Sequence, residues 1–241
     1  MQSSISHEML TPLKCISSII DLLKSEKLAK TVVDNLETIR STVTFVQAQM
    51  KSKLDYCLID SQRFQMHPEP ARLVQDVVIP TCEIFKGQIY LQNIKFNVSI
   101  PEDNSTIWVD KLRVQQILIN LVSNALKFTT RGGKIRLKVE KVVISDRRLR
   151  YKISVSDEGP GVDPEELQKL FTAQFKPKSK NGNGVGLQLS KKIAGHMGGD
   201  LRYFRRSRGS EFELSFEADV CRENLVAKQV TTNFNKAFGK G

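Results

Sequence analysis

Asn120-Leu121-Val122-Ser123-Asn124-Ala125-Leu126-Lys127-Phe128 carries two asparagines and a lysine at successive spacings of four and three. On an α-helix those spacings gather Asn120, Asn124 and Lys127 on one face and leave Leu118, Leu121 and Ala125 to pack behind it. Asparagine is a poor helix former, so two in a helix interior suggest a ligand. Amide oxygens suit a magnesium ion carrying a triphosphate, and a lysine one turn on neutralises phosphate charge. The plainer alternative is a solvated helix face.

The same helix starts upstream at Asp110, a capping residue, with apolar positions at Leu112, Ile117, Leu118, Leu121 and Val122. Before it, Ile94, Phe96, Val98 and Ile100 alternate as a strand; after it, Ile135, Leu137 and Val139, then Tyr151, Ile153 and Val155, predict two strands joined across the charged tip Ser145–Arg150. Asp163-Pro164 opens a short helix to Phe171. A second helix runs through Ile193 and Met197 to Gly198-Gly199, and strands near Leu201–Phe204 and Phe212–Phe216 close the pattern. Helices segregated from a mixed sheet predict a two-layer α/β sandwich.

Two further segments bear chemistry. In Val155-Ser156-Asp157-Glu158-Gly159-Pro160-Gly161-Val162 a strand ends at a carboxylate and the chain turns over two glycines. A carboxylate so placed accepts a hydrogen bond from an exocyclic amine such as that of adenine, and glycines let a flat ring approach the backbone. Asp-x-Gly is also ordinary turn chemistry. Gly182-Asn183-Gly184-Val185-Gly186-Leu187 opens a helix whose free backbone N–H groups suit phosphates, or else is a flexible loop. No Gly-Lys-Ser/Thr follows and the spacing is not GxGxxG, which disfavours both common nucleotide folds.

Toward the N-terminus, Met9, Leu13, Ile16, Ile20 and Leu23 form one heptad stripe, and Val32, Leu36, Ile39, Val43, Val46 and Met50 a second, with Lys53 interrupting it before Cys57. A polar stretch near Ser25–Lys30 separates them. One hairpin with a single narrow stripe per helix buries little, so pairing with a second copy as a four-helix bundle is expected. His7, in Ser6-His7-Glu8-Met9-Leu10-Thr11-Pro12-Leu13, lies two residues, about 200° of rotation, from Ile5 and Met9, so it is expected to face away from the stripe. An exposed neutral imidazole is a nucleophile toward a phosphoryl group, with Glu8 placed to draw off its proton. Pro12 is expected to bend the helix beside it. A lone surface histidine is just as often incidental.

Composition narrows the class. The 40% apolar content fits a globular chain of 241 residues with two domains. No run approaches the roughly 18 apolar residues of a membrane helix, and no secretory core begins the chain. The four cysteines show no CxxC spacing, which argues for reduced thiols inside a cell. The net charge of +11 lies beyond residue 60, because residues 1–60 hold seven Lys/Arg and seven Asp/Glu. Lys176, Lys178, Lys180 and the run Arg202, Arg205, Arg206, Arg208 lack interleaved aromatics, so nucleic acid is not the expected partner.

In this order the segments resemble the sensor histidine kinase family: an H-box at Ser6–Leu13, an N-box at Asn120–Phe128, glycine boxes at Asp157–Gly161 and Gly182–Gly186, and Phe171 and Phe175 in place of a phenylalanine box. The resemblance implies an α+β chain: a dimerisation and phosphotransfer hairpin of the HisKA type (1–65), a GHKL-type ATP-binding sandwich (66–220), and a tail or linker (221–241). It implies His7 as phosphoacceptor, Glu8 as general base, and Thr11 as an aid to dephosphorylating the partner. Asn124 would hold Mg2+ with Asn120 near it, Lys127 would contact the phosphates of ATP, and Asp157 would read adenine. Gly159, Gly161, Gly184, Gly186 and Leu187 would shape the pocket and lid. Hydrolytic relatives usually carry Glu at the position of Asn120, and Asn cannot serve as that base, which favours transfer over hydrolysis. Expected partners are a second copy and a response-regulator receiver domain. The expected location is cytoplasmic, including the cytosolic part of a membrane-anchored sensor, and the chain is expected to be a piece of such a sensor. Leu10 stands where the family usually has Arg, one extra residue separates Phe171 from Phe175, and the lid 176–181 is short, which motivates a second reading as an ATP-binding dimeric scaffold.

Overall fold

A computed structural model describes residues 13–21, 23, 30–60, 63–103, 105–172 and 185–221. His7, Glu8, Thr11, Gly184, Phe175, the lid at 176–181 and nearly all of the expected turn near Ser25–Lys30 lie outside these residues. Helix α1 (residues 13–21) and α2 (Lys30–Asp60) are linked by an Arg40–Asp21 ion pair at 3.4 Å. Of the second stripe, Leu36 and Val43 are buried, whereas Val32, Ile39 and Val46 remain exposed in the single chain.

The remainder runs β1 (Glu69–Ala71), a π-helical turn (Val74–Val78) continuing into α3 (Ile79–Leu91), β2 (Lys95–Ser99), β3 (Ile107–Val109), α4 (Lys111–Phe128), β4 (Lys134–Ser145) and β5 (Arg148–Asp157). A 3-10 turn (Pro164–Lys169), α5 (Val185–His196), β6 (Asp200–Arg205) and β7 (Ser210–Asp219) follow. The main sheet has the order β2-β4-β5-β7-β6, with β2 parallel to β4 and every other pair antiparallel; β1 and β3 form a separate ribbon. Alternation dictates the core. Leu137, Val155 and Phe212 stand opposite one another across three strands, as do Val139, Ile153 and Leu214. All face Phe85 of α3, Ile117, Leu118 and Leu121 of α4, and Ile193 of α5.

Helix α4 begins as its sequence dictates: the Asp110 side chain accepts from the Arg113 N–H at 3.2 Å. The same carboxylate accepts from the His67 N–H at 2.8 Å, tying the connecting segment to the helix start. Three elements go beyond the sequence expectation: α3 with its π-helical entry, β1 and β3. Cys221, placed at the head of the tail, is instead part of the fold; it is buried and its N–H donates to the Thr106 carbonyl at 2.9 Å. Away from the site, buried Asp103 accepts from Tyr151 Oη at 2.5 Å and Lys141 Nζ at 2.8 Å. Burial alone would raise its pKa, but these bonds and that from Ser105 N outweigh it and hold the carboxyl below the ordinary value.

Helix α2 does not stand apart from the sandwich. Phe45 meets Phe85 edge-on at 5.8 Å between ring centroids. Asp55, buried, pairs with Arg113 and accepts from Gln116 Nε2 at 3.0 Å. The Arg113 guanidinium lies 4.5 Å from the centre of the Phe64 ring, which in turn sits 5.0 Å from that of His196. Removing one partner of such a buried pair costs about 3–5 kcal/mol because the other charge is left uncompensated.

Candidate functional site

Strand β5 delivers Asp157 to its last position, where the alternation that buries Tyr151, Ile153 and Val155 also buries this carboxylate. Asp157 Oδ1 accepts from the Gly159 N–H at 2.8 Å, and a second backbone bond comes from Ser210. Burial pushes its pKa up, and the two backbone N–H groups oppose that rise. A carboxylate has about four lone-pair sites, so capacity remains for a ligand donor.

The chain around Asp157 is fitted tightly to its neighbours. A Cβ on Gly159 would stand 2.8 Å from Asp157 Oδ1 and 2.9 Å from the Phe128 carbonyl oxygen, closer than real Cβ atoms come. Gly209, on the β6–β7 turn, has φ +89 and a Cβ there would overlap the Asp157 carbonyl. The Tyr203 hydroxyl accepts from the Val162 N–H at 3.2 Å. Three segments therefore converge on the end of β5: the end of α4, the glycine turn 157–161, and the β6–β7 turn.

On α4, Asn120 and Asn124 are half-buried and Lys127 is exposed, while Leu118, Leu121 and Ala125 behind them are buried. Asn120 Nδ2 donates to Ser190 Oγ of α5 at 3.0 Å. The Lys127 ammonium lies 5.1 Å from the Phe128 ring centre, and desolvation lowers its pKa. A cleft between α2, α4 and α5 is lined by Gln49, Gln116, Asn120, Gly186 and Ser190, among others. Gly186 and Leu187 occupy the first turn of α5, with Leu187 buried. Phe171 is half-buried under the α5 side chain Lys191, whose ammonium lies 5.1 Å from its ring and 2.5 Å from Asp200 Oδ1.

The structure thus brings Asp157, Gly159 and Gly161 together with the end of α4, and brings Asn120 to the start of α5 beside Gly186. Sequence reasoning missed Ser190, Gly209, Ser210 and Tyr203. Gly209 was legible only as a turn glycine in an arginine-rich tip, and Ser190 carries no local signal because its partner lies 70 residues away. No three His, Cys, Asp or Glu side chains gather as a metal cluster among the described residues. A divalent ion here would be held by amide oxygen and phosphate oxygen. That donor set suits Mg2+, which keeps several waters and takes few protein ligands.

Residues 109–220 match the family described as "Histidine kinase-, DNA gyrase B-, and HSP90-like ATPase". The chain is similar to the signal transduction histidine-protein kinase BarA of Escherichia coli strain K12, 30% identical over 95% of this chain and 26% of the relative. It is similar also to the sensor protein GacS of Pseudomonas syringae pv. syringae, 29% identical over 92% of this chain and 25% of the relative. The chain spans about a quarter of the length of these relatives. Among solved structures, the catalytic domain of histidine kinase ThkA superposes with TM-score 0.54 at 27% identity, over 63% of this chain and 95% of that one. Full-length ShkA in complex with AMPPNP gives TM-score 0.62 over 91% of this chain and 46% of that one; at 23% identity it shows a shared fold. Among the described residues no helix is long and apolar enough to cross a membrane.

Proposed function

We propose, from the match of residues 109–220 to the histidine kinase-, DNA gyrase B- and HSP90-like ATPases, that this chain is an ATP-dependent protein histidine autokinase. It phosphorylates His7 and passes the phosphoryl group to an aspartate of a response-regulator receiver domain. The observation that carries the reading is the Asp157 carboxylate, buried at the end of β5 beside the glycine turn and the Phe128 carbonyl. Such an acceptor suits the exocyclic amine of adenine. The similarity to the signal transduction histidine-protein kinase BarA supports the choice of kinase within the family.

In this reading Asp157 orients the base, with Gly159 and Gly161 admitting the ring. Gly184, Gly186 and Leu187 shape the phosphate end of the pocket. Asn124 would hold Mg2+ through its amide oxygen, with Asn120 one turn before it, and Lys127 would contact the phosphates. Bound Mg2+ neutralises charge that develops on the transferring phosphoryl group. The His7 imidazole attacks phosphorus, Glu8 takes its proton, and ADP leaves; Thr11 assists removal of the phosphoryl group from the partner. Asn120 supplies no base for water, which favours transfer over hydrolysis. The exposed Val32, Ile39 and Val46 of α2 are an unmatched apolar stripe, which supports a homodimer joined through residues 1–65.

Labelled ATP and Mg2+ test the reading. Wild-type chain is expected to acquire acid-labile, alkali-stable label that His7→Gln abolishes. A dimeric wild type that binds ATP and stays unlabelled would replace the kinase with a nucleotide-binding scaffold.

A further inference from the structure

Helix α5 holds Asn120 from two sides, and we propose that Ser190 is a positioning residue that anchors the Asn120 side chain against α5 at the phosphate end of the pocket. The inference rests on the kinase reading above, and it concerns a residue that touches neither ATP nor His7 in that reading.

An asparagine amide is nearly symmetric in shape and opposite in chemistry at its two ends. The oxygen accepts hydrogen bonds or ligates a cation, whereas the NH2 only donates. Turning it by half a rotation about its last torsion therefore replaces an acceptor by a donor without changing the packing. Ser190 ties the amide to α5 in either orientation, because a hydroxyl can both accept and donate. Its hydroxyl oxygen accepts from Asn120 Nδ2 at 3.0 Å, and the serine is 3% exposed, so water does not compete for the bond.

Gly186 supplies the second side. A Cβ at this position would overlap Asn120 Oδ1 and stand 3.0 Å from its Cγ and 3.3 Å from its Nδ2. The glycine leaves room for the amide, and the amide oxygen points at the first turn of α5. With the nitrogen end bound to Ser190 and the oxygen end seated against Gly186, both ends of the amide are held by one helix. Ser190 and Gly186 lie one turn apart on α5, so a single helix carries both the anchor and the gap.

The test uses the full chain with Ser190→Ala and Ser190→Thr. Ser190→Ala is expected to slow label formation roughly tenfold in single-turnover experiments, the effect of one lost orienting hydrogen bond. Affinity for a fluorescent ATP analogue should stay within about twofold of wild type, since the base end of the site is untouched. In a 15N-edited NMR spectrum the Asn120 side-chain NH2 pair, assigned by its absence in Asn120→Asp, should shift and exchange faster with solvent in Ser190→Ala. Ser190→Thr should restore rate and resonance together. An unchanged rate or an unmoved NH2 pair in Ser190→Ala overturns the proposal, as does an equal loss in both variants accompanied by a fall in melting temperature, which marks a packing role. If wild type makes no label, the kinase reading fails by itself, and the NH2 resonance still decides what Ser190 does.

Discussion

At the Asp157 end of the site the partners are backbone groups; at the Asn120 end they are side chains reaching between helices. Asp157 is bonded by the N–H groups of Gly159 and Ser210 and flanked by glycines on two turns. Asn120 depends on Ser190 and on the space left at Gly186. Backbone partners are fixed once the sheet forms and cost little further ordering. Side-chain partners on separate helices hold only while those helices keep their relative position. The first end is therefore pre-organised for recognition, and the second is where a conformational change can act on the chemistry.

The hardest blow to the pre-organised end is Gly209→Ala. The new Cβ would overlap the Asp157 carbonyl at a positive φ, and the expected loss is about 3 kcal/mol of stability in urea unfolding, together with nucleotide binding. A normal urea midpoint would show that the two turns can slide apart, and the contrast with the Asn120 end would weaken.

Asp157→Ala leaves the fold in place and should lower affinity for ATP roughly 100-fold, the scale of a lost hydrogen bond to a charged group in a buried site. Burial raises the Asp157 pKa above its ordinary value, so the folded, empty protein binds this proton more tightly than the unfolded chain does. The stability this contributes is fully present below the unfolded pKa and is lost as pH rises through the folded one. Binding runs the other way: the carboxylate must be ionised to accept from the base, so wild-type affinity should begin to fall at a pH above that of an ordinary aspartate as acid is added. Titrating analogue affinity and urea midpoint in parallel checks both signs, and curves moving in the same direction would refute the acceptor role.

Lys127→Ala probes the other end and should do least. The ammonium is exposed, so the expected change is roughly threefold in the apparent KM for ATP, shrinking further at high salt. A loss as large as that of Asp157→Ala would mean that the Asn120 end closes over this lysine as tightly as the other end encloses the base.

The difference between the ends also governs what could be read from sequence. Asp110, the period of α4 and the alternation of β4 and β5 are local, and each element lies where its own residues put it. Helix α3 left no such trace. It is apolar along much of its length and has Pro80 in its first turn, so it lacks a polar face to set a period against. Strands β1 and β3 are three residues long and are held by pairing with each other and, at Ile107, by a bridge to Val220. At the site, Asp157 and Gly159 could be picked out because a strand end followed by glycines is a local pattern. Ser190 could not, since a serine within a helix has no meaning until α4 lies across it. Gly186 was read as shaping the pocket and lid; that it makes room for the Asn120 amide needs the fold to be seen.

The bond between Asp55 and Arg113 has a mechanical side. Helix α2 is 31 residues long, about 46 Å at 1.5 Å per residue, and its far end is pinned to α4 by a charge pair and an amide. A rod clamped in this way transmits torque. A twist of α2 about its axis would therefore bear on Arg113, two turns before Asn120 on the same helix.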